Sequence, residues 1–399
     1  MRVAMLHWAF PPIIGGVETH LVMLGPGLIQ RGCEVYLLTG SLKKPESYVW
    51  RGMQITRSPF MDLNSLSPEL IAYHSSNIQR ELKTFIQKVS PDLIHAHNMH
   101  YFSPVHAEAL ADISRKMAVP LILTAHNVWE DALWEQMLEY RNVWDGIISV
   151  SHFIAREMIR SGYPAERVTV IHHGIDLDKF SSADEHKCPG LYAQLQGRRV
   201  IFHPARMSLA KGSDVVVKAL ARIKPKHPDV MLVLAGTEKT VDWGSYQERE
   251  IAQIRQMIED FDLKDHVFIK FFAWDEIPAM YRMADIVVYP SSFEEPFGLV
   301  MLEAMATGKP IIVTDAGGMP EVVKDGFNGF VIPKRDPETL AEKCDVLLSS
   351  PSLAANMGRN GRQLAEDRFA EEIMITHTLD FYRRIIEEGG AKINAASNG

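Results

Sequence analysis

Residues 200–221 read VIFHPARMSLAKGSDVVVKALA. The apolar run at 200–203 stops at Pro204. A polar turn carrying Arg206, Lys211 and Gly212 follows, and residues 213–221 then place apolar side chains at helical spacing. The pattern is strand, charged turn, helix, the first half of a βαβ unit. Downstream, apolar runs recur at 230–235, 267–269, 286–289, 311–313 and 329–332, with helical patterns between them. Upstream, similar runs fall at 3–6, 35–39, 93–97, 121–124, 146–150 and 168–171. Helical patterns at 17–31, 68–89, 104–117 and 152–161 separate several of them. Strands alternating with helices predict parallel sheets covered on both faces.

The rhythm lapses once, in a polar stretch from His172 to about Arg199, read as the connection between domains. A chain of 399 residues accommodates two domains. The expected architecture is α/β, with two doubly wound Rossmann-like domains facing across an interdomain cleft, at residues 1–180 and 181–365. Residues 366–399 are expected to form a C-terminal helix that packs back on the first domain and ends in a frayed tail from Gly389. The helical pattern there begins near Gly361 and includes Leu364, Phe369, Ile373, Leu379 and Ile386. Ligands of such sheets bind beyond the carboxyl ends of the strands.

Charge and composition exclude several classes. Lys and Arg total 42 against 50 Asp and Glu, a formal charge of −8, so bulk charge gives no basis for nucleic-acid binding. No apolar run is long enough to span a bilayer. Pro11-Pro12 cuts off the opening apolar residues, which read as the first strand and not as a signal-peptide core. No Lys/Arg cluster argues for peripheral membrane association. Cys33, Cys188 and Cys344 lie far apart and form no CxxC, which fits a reducing cytoplasm. No GxGxxG follows the first strand. Gly308-Lys309 is followed by Pro310 where a P-loop needs Ser or Thr, and residue 303 is Glu.

The most informative segment is 291–306, SSFEEPFGLVMLEAMA. From Phe297 onward it reads as a helix that is apolar on nearly every side, with Glu303 its one charge. A carboxylate in such a setting needs a partner, either a structural ion pair or a ligand. Ser292-x-x-Glu295 matches a capping box, although Pro296 pushes Glu295 out of the helical region. Gly298 lets a ligand approach the helix start, where backbone N–H groups favour an anion.

Glu295-x7-Glu303 resembles the paired-glutamate motif of retaining glycosyltransferases of the GT-B fold, and most resembles glycosyltransferase family 4. Four other segments agree in order and spacing. Gly15-Gly16-Val17-Glu18 is similar to the family's N-terminal glycine loop, and Thr124-Ala125-His126-Asn127 to its Thr-x-His strand end. Arg206-x4-Lys211-Gly212 is similar to its Arg-x4-Lys-Gly turn, with Pro204-Ala205 before the arginine where Gly is more usual. Asp315-Ala316-Gly317-Gly318-Met319-Pro320-Glu321 is similar to its Gly-Gly-x-Pro-Glu loop.

The resemblance implies a UDP- or GDP-sugar donor, an acceptor hydroxyl, and hexosyl transfer without cofactor or metal. It implies that Arg206 and Lys211 carry the diphosphate charge, that Glu303 holds the ribose, and that Glu295 and His126 lie at the donor sugar. Gly15, Gly16, Phe297, Gly298 and Leu299 complete the expected donor contacts, with His126, Glu295, Arg206 and Lys211 as the catalytic set. Rival activities on this fold are a nucleotide-sugar epimerase, a phosphorylase and an inactive donor-binding module. Phe272-Ala273-Trp274 is a candidate flank for the base. His95-Ala96-His97 and His172-His173 invite a metal, but with no acidic partner at fixed spacing none is expected.

Overall fold

Short runs such as Val3–Leu6 are buried at every position, as strands covered on both faces must be. The computed structural model describes residues 1–13, 15–41, 44–181, 189–236, 244–273 and 275–397. The chain divides into two compact units, Met1–Gly174 with Glu371–Gly399, and Ile175–Ala370.

The first unit is built on eight strands: β1 (Arg2–Leu6), β2 (Glu34–Gly40), β3 (Glu46–Trp50), β4 (Met53–Ser58), β5 (Leu93–His97), β6 (Leu121–Ala125), β7 (Gly146–Ser149) and β8 (Val168–Val170). Their order is β3-β4-β2-β1-β5-β6-β7-β8. All neighbours are parallel except β3 and β4, which form an antiparallel pair at the sheet edge. The second unit has β9 (Arg199–His203), β10 (Val230–Gly236), β11 (Val267–Phe271), β12 (Ile286–Tyr289), β13 (Ile311–Thr314) and β14 (Gly329–Ile332), all parallel, in the order β11-β10-β9-β12-β13-β14. Each is a doubly wound α/β sheet. Strand order reverses between β1 and β5 in the first unit and between β9 and β12 in the second. Loops leave both neighbours in opposite directions at such a point, which opens a crevice at the strand ends.

Several local expectations change. The edge pair β3–β4 carries alternating polar residues and follows no long apolar run, so periodicity did not reveal it. The helical stretch 68–89 is two helices, Pro68–Tyr73 and Ser75–Val89, because His74 (φ −93°, ψ 9°) leaves the helical region. The chain leaves the first unit after Gly174. Residues Leu177–Ser181 and Pro189–Leu195 are helical, so much of the expected connection belongs to the second unit. Residues 182–188 of that stretch, which include Cys188, lie outside the described residues, as do Trp274 and the last two residues of the tail.

The final helical pattern is likewise two helices, Pro351–Arg368 and Glu371–Ser397. Between them Ala370 bridges Ile175 and the Ile175 N–H donates to the Phe369 carbonyl at 2.8 Å, so the two crossing strands of chain run side by side. The last helix continues past Gly389 to Ser397 instead of fraying there. Its Met374, Ile375, Leu379, Phe381, Tyr382 and Ile385 join Val3, Leu24, Leu28 and Ile148 in the core of the first unit. Among the described residues no helix is long and apolar enough to cross a membrane.

Candidate active site

In the second unit the reversal point gathers charge. β9 ends at His203, whose Nδ1–H donates to the Val288 carbonyl at 3.0 Å. Its Nε2 therefore accepts from the Ser213 hydroxyl at 3.2 Å. This tie holds the loop that carries Arg206 and Lys211 against β12. Gly212 closes the loop at φ +79°, and a Cβ there would collide with the Pro290 carbonyl oxygen, so both conformation and space demand glycine.

Lys211 then reaches across to the end of β12. Its ammonium donates to Glu295 Oε2 at 2.7 Å and to the Tyr289 hydroxyl at 2.9 Å, while Tyr289 donates to the same carboxylate oxygen at 2.5 Å. Lys211 and Glu295 side chains retain 19% and 12% exposure, so the pair is largely withdrawn from water yet still reachable. Burial and the Glu295 charge push the Tyr289 phenol well above its ordinary range, which keeps it a hydrogen donor. Arg206 is exposed, and its charge opposes that rise.

Glu295 is placed by its backbone. The Gly318 N–H donates to the Glu295 carbonyl at 2.8 Å, and Gly317 (φ +61°) lies so close to that carbonyl that a side chain would not fit. The neighbouring Glu294 accepts the Gly317 N–H at 2.5 Å and pairs with Lys334. Of two adjacent glutamates, one fastens the Gly317-Gly318 loop and the other meets the lysine.

Glu295 does not cap a helix. The helix is Leu299–Ala306, beginning two residues later than Phe297, with Gly298 at φ +90° as its N-cap. Phe297 is buried and packs edge-on against Phe369 at 6.1 Å, so its side chain belongs to the core. Gly298 and Leu299 are half-buried at the helix start. Glu303 accepts from the Tyr281 hydroxyl at 2.7 Å. Burial raises its carboxyl pKa, and the Tyr281 bond only partly offsets this. Glu303 is therefore a half-buried acceptor whose charged form gains from further donors.

In the first unit the reversal point gathers imidazoles. His7 follows β1, His97 ends β5 and His126 follows β6. The His126 N–H donates to Asn98 Oδ1 at 2.8 Å, and its Nε2 lies 3.1 Å from His97 Nδ1. His7 Nε2–H donates to Glu18 Oε1 at 2.9 Å. Burial raises the Glu18 carboxyl, but its bonds to His7 and to the Gly15 backbone outweigh that and hold it below the ordinary value. Gly15 is thereby fastened as the N-cap of the helix Gly16–Gln30, while a Cβ on Gly16 would meet nothing within 4 Å. His95, by contrast, is fully paired with the Tyr382 and Thr124 hydroxyls, at 2.6 and 2.7 Å, and is a core residue.

The second unit thus brings Lys211 and Glu295 into contact, and the first brings His126 to the same sheet end as the Gly15-Gly16 turn. Tyr281 and Tyr289 were missed from sequence. The position of Tyr289 at the end of a strand was the one available signal.

Two doubly wound α/β sheets, each with a crevice at its reversal point, are the architecture of GT-B glycosyltransferases. Residues 193–364 match the glycosyl transferases group 1, and residues 14–179 match glycosyltransferase family 4. The chain is 26% identical to MJ1607 of Methanocaldococcus jannaschii, an uncharacterised glycosyltransferase, over 98% of this chain and all of that protein. It is 30% identical to YtcC of Bacillus subtilis over 70% and 69% of the two chains. Its fold matches that of Anabaena HepE in complex with UDP-glucose, with a TM-score of 0.75 at 22% identity over 98% of this chain and all of that one. The chain belongs to the family 4 type of glycosyltransferases, with a group 1 domain in its second half.

Proposed function

We propose that the chain transfers a hexosyl unit from a UDP- or GDP-sugar to an acceptor hydroxyl, with retention of anomeric configuration and without a metal ion at the leaving group. The acceptor is a lipid, an oligosaccharide or a small metabolite, taken by the first unit, and the reaction serves carbohydrate biosynthesis in the cytoplasm. The observation that carries this reading is the contact of Lys211 with Glu295 and Tyr289 at the reversal point of the second sheet. The UDP-glucose complex of HepE, a protein of the same fold, supports the donor class.

Each residue has a role in this reading. Lys211 and Arg206 take the diphosphate, the lysine as a point charge and the arginine as a fork. As the sugar–phosphate bond breaks, negative charge grows on the leaving oxygen, and a fixed cation there stabilises the transition state more than the ground state. The start of the helix Leu299–Ala306 adds its N–H groups through Phe297, Gly298 and Leu299. Glu303 accepts the ribose hydroxyls, the donors its raised pKa calls for. Gly15 and Gly16 give close backbone approach, and His126 contacts the sugar. Glu295 binds donor-sugar hydroxyls. Its carboxylate is already neutralised by Lys211 and bonded to Tyr289, which makes it a poor covalent nucleophile and favours a front-face, oxocarbenium-like path.

The test is incubation with radiolabelled UDP- and GDP-hexoses and a panel of acceptors, followed by separate assay of free nucleotide, epimerised donor and transferred sugar. Transfer with the donor's anomeric configuration is expected. Epimerised donor alone, or binding without turnover on any acceptor, overturns the reading.

A further inference from the structure

The histidines at the reversal point of the first unit form a cluster of which sugar transfer accounts for His126 alone. His20 from the helix Gly16–Gln30, His97 at the end of β5 and His126 after β6 are all buried. One ring nitrogen of each lies within 4.8 Å of those of the other two. Their ring centroids are separated by 5.1 Å (His20–His126), 5.4 Å (His97–His126) and 5.5 Å (His20–His97). With Zn–N bonds of about 2.0–2.1 Å, tetrahedral geometry sets ligand nitrogens about 3.4 Å apart and ring centroids about 5.2 Å apart. His97 Nδ1 and His126 Nε2, 3.1 Å apart, bond to each other and fix the two rings side by side. Three rings from separate elements already stand at nearly the spacing one ion imposes.

A second observation points the same way. His20 Nε2, His97 Nε2 and His126 Nδ1 are buried and have no hydrogen-bond partner among the described residues. Leaving even one such atom unsatisfied is costly, and each ring of the cluster keeps one nitrogen free for a partner that the described residues do not supply. We infer that His20, His97 and His126 bind one zinc-type divalent ion.

Burial holds all three rings neutral, with His20 lowered to about 3 and His97 and His126 well below their ordinary value. Neutral imidazole is the form that ligates. Three nitrogen donors without a carboxylate select zinc, copper or nickel over magnesium and calcium. His173 Nδ1 lies 3.0 Å from His20 Nδ1 and orients that ring from behind, leaving His20 Nε2 as its ligand atom. The ion takes no part in the leaving-group chemistry assigned to Lys211 and Arg206. On the reading of His126 given above, and resting on it, an ion there withdraws His126 from the donor sugar and slows transfer.

The test uses the full chain without a histidine tag, stripped with a chelator and titrated with Co2+ and then Zn2+. The expected result is one Co2+ per chain, with the visible absorption of a tetrahedral nitrogen site, displaced by one equivalent of Zn2+. His20→Gln and His97→Gln, each verified to melt as the parent does, weaken Zn2+ at least tenfold. His227→Gln, whose ring pairs with Asp345 in the second unit, leaves it unchanged. Should either triad variant fail to fold, zinc-edge X-ray absorption of the unaltered protein decides, with imidazole scattering from three ligands expected. No stoichiometric Co2+ band, a band that survives both substitutions in folded protein, or a zinc shell of oxygen alone overturns the site, whatever the transfer assays show.

Discussion

The two units repeat one architecture and fill its crevice with opposite chemistry. In the second, the ends of β9 and β12 deliver permanent charge: Lys211, Glu295 and Arg206, with two phenols, Tyr281 and Tyr289, kept protonated by burial and by the carboxylates beside them. In the first, the ends of β1, β5 and β6 deliver His7, His97 and His126, with His20 and His173 packed among them and Glu18 the nearby carboxylate, bonded to His7. Strand order decides where a ligand is met. The few residues after each strand decide what is met there: a diphosphate needs fixed cations, whereas neutral imidazoles suit a sugar hydroxyl or a soft metal ion.

The largest expected effect breaks the charged side of this contrast. Lys211→Ala is expected to lower kcat by about a hundred- to a thousandfold, since losing one preorganised stabiliser of developing charge costs about 2.7–4 kcal/mol. Donor Kd, measured by direct titration, should change less. A normal kcat with only a raised KM would mean that Lys211 binds both states equally.

Next in size is Glu303→Gln, which removes a charged acceptor and should weaken nucleotide binding by about 1.5–3 kcal/mol while the melting temperature holds. The carboxyl is raised in the free protein, and ribose hydroxyls favour its charged form. Binding by the parent should therefore weaken as pH falls through that raised pKa, and the Gln variant should lose this limb. A lower melting temperature with intact affinity would make Glu303 structural.

Acid should separate the units. In the first unit burial chiefly lowers His20 and His95 to about 3 and His100 and His106 to about 4. In the second unit His203 is the buried histidine among the described residues, lowered to about 4. A group whose folded pKa is depressed contributes stability above its unfolded pKa and loses it as pH falls towards the folded value. Each such histidine removes about 1.4 kcal/mol per pH unit below an unfolded pKa of about 6.5. Hydrogen exchange, corrected for intrinsic rates, should show amide protection falling between pH 6.5 and 4 more steeply in 1–174 than in 199–370. Equal losses would contradict the contrast.

The smallest expected effect is on stability at Gly16. Gly16→Ala meets no protein atom and should leave stability within about 0.5 kcal/mol. Transfer should nevertheless fall if a ligand approaches that backbone, so unchanged kinetics would remove Gly16 from the donor site.

The fold was largely legible because buried parallel strands are near-continuous apolar runs. The exceptions share a cause. Glu46–Trp50 and Met53–Ser58 form a half-exposed edge pair, and the breaks at His74 and at Phe369-Ala370 are set by how the chain turns, not by apolar period. Of the candidate site, Lys211 and Glu295 were legible through local motifs, and the structure joins them across 84 residues. Tyr289, Tyr281 and His20 were not, because each acquires meaning only from a partner on another element. The Ser292–Glu295 spacing pointed to a cap that the start of the helix at Leu299 replaces.

In the proposed function the donor nucleotide is held by the charge of the second unit. Calorimetric titration of UDP and GDP into the parent protein and the Arg206→Ala, Glu303→Gln and His126→Asn variants tests this most directly. The predicted result is one nucleotide per chain, bound at least tenfold more weakly by Arg206→Ala and Glu303→Gln and with little change by His126→Asn. Full affinity in both second-unit variants, or loss only in His126→Asn, would contradict it.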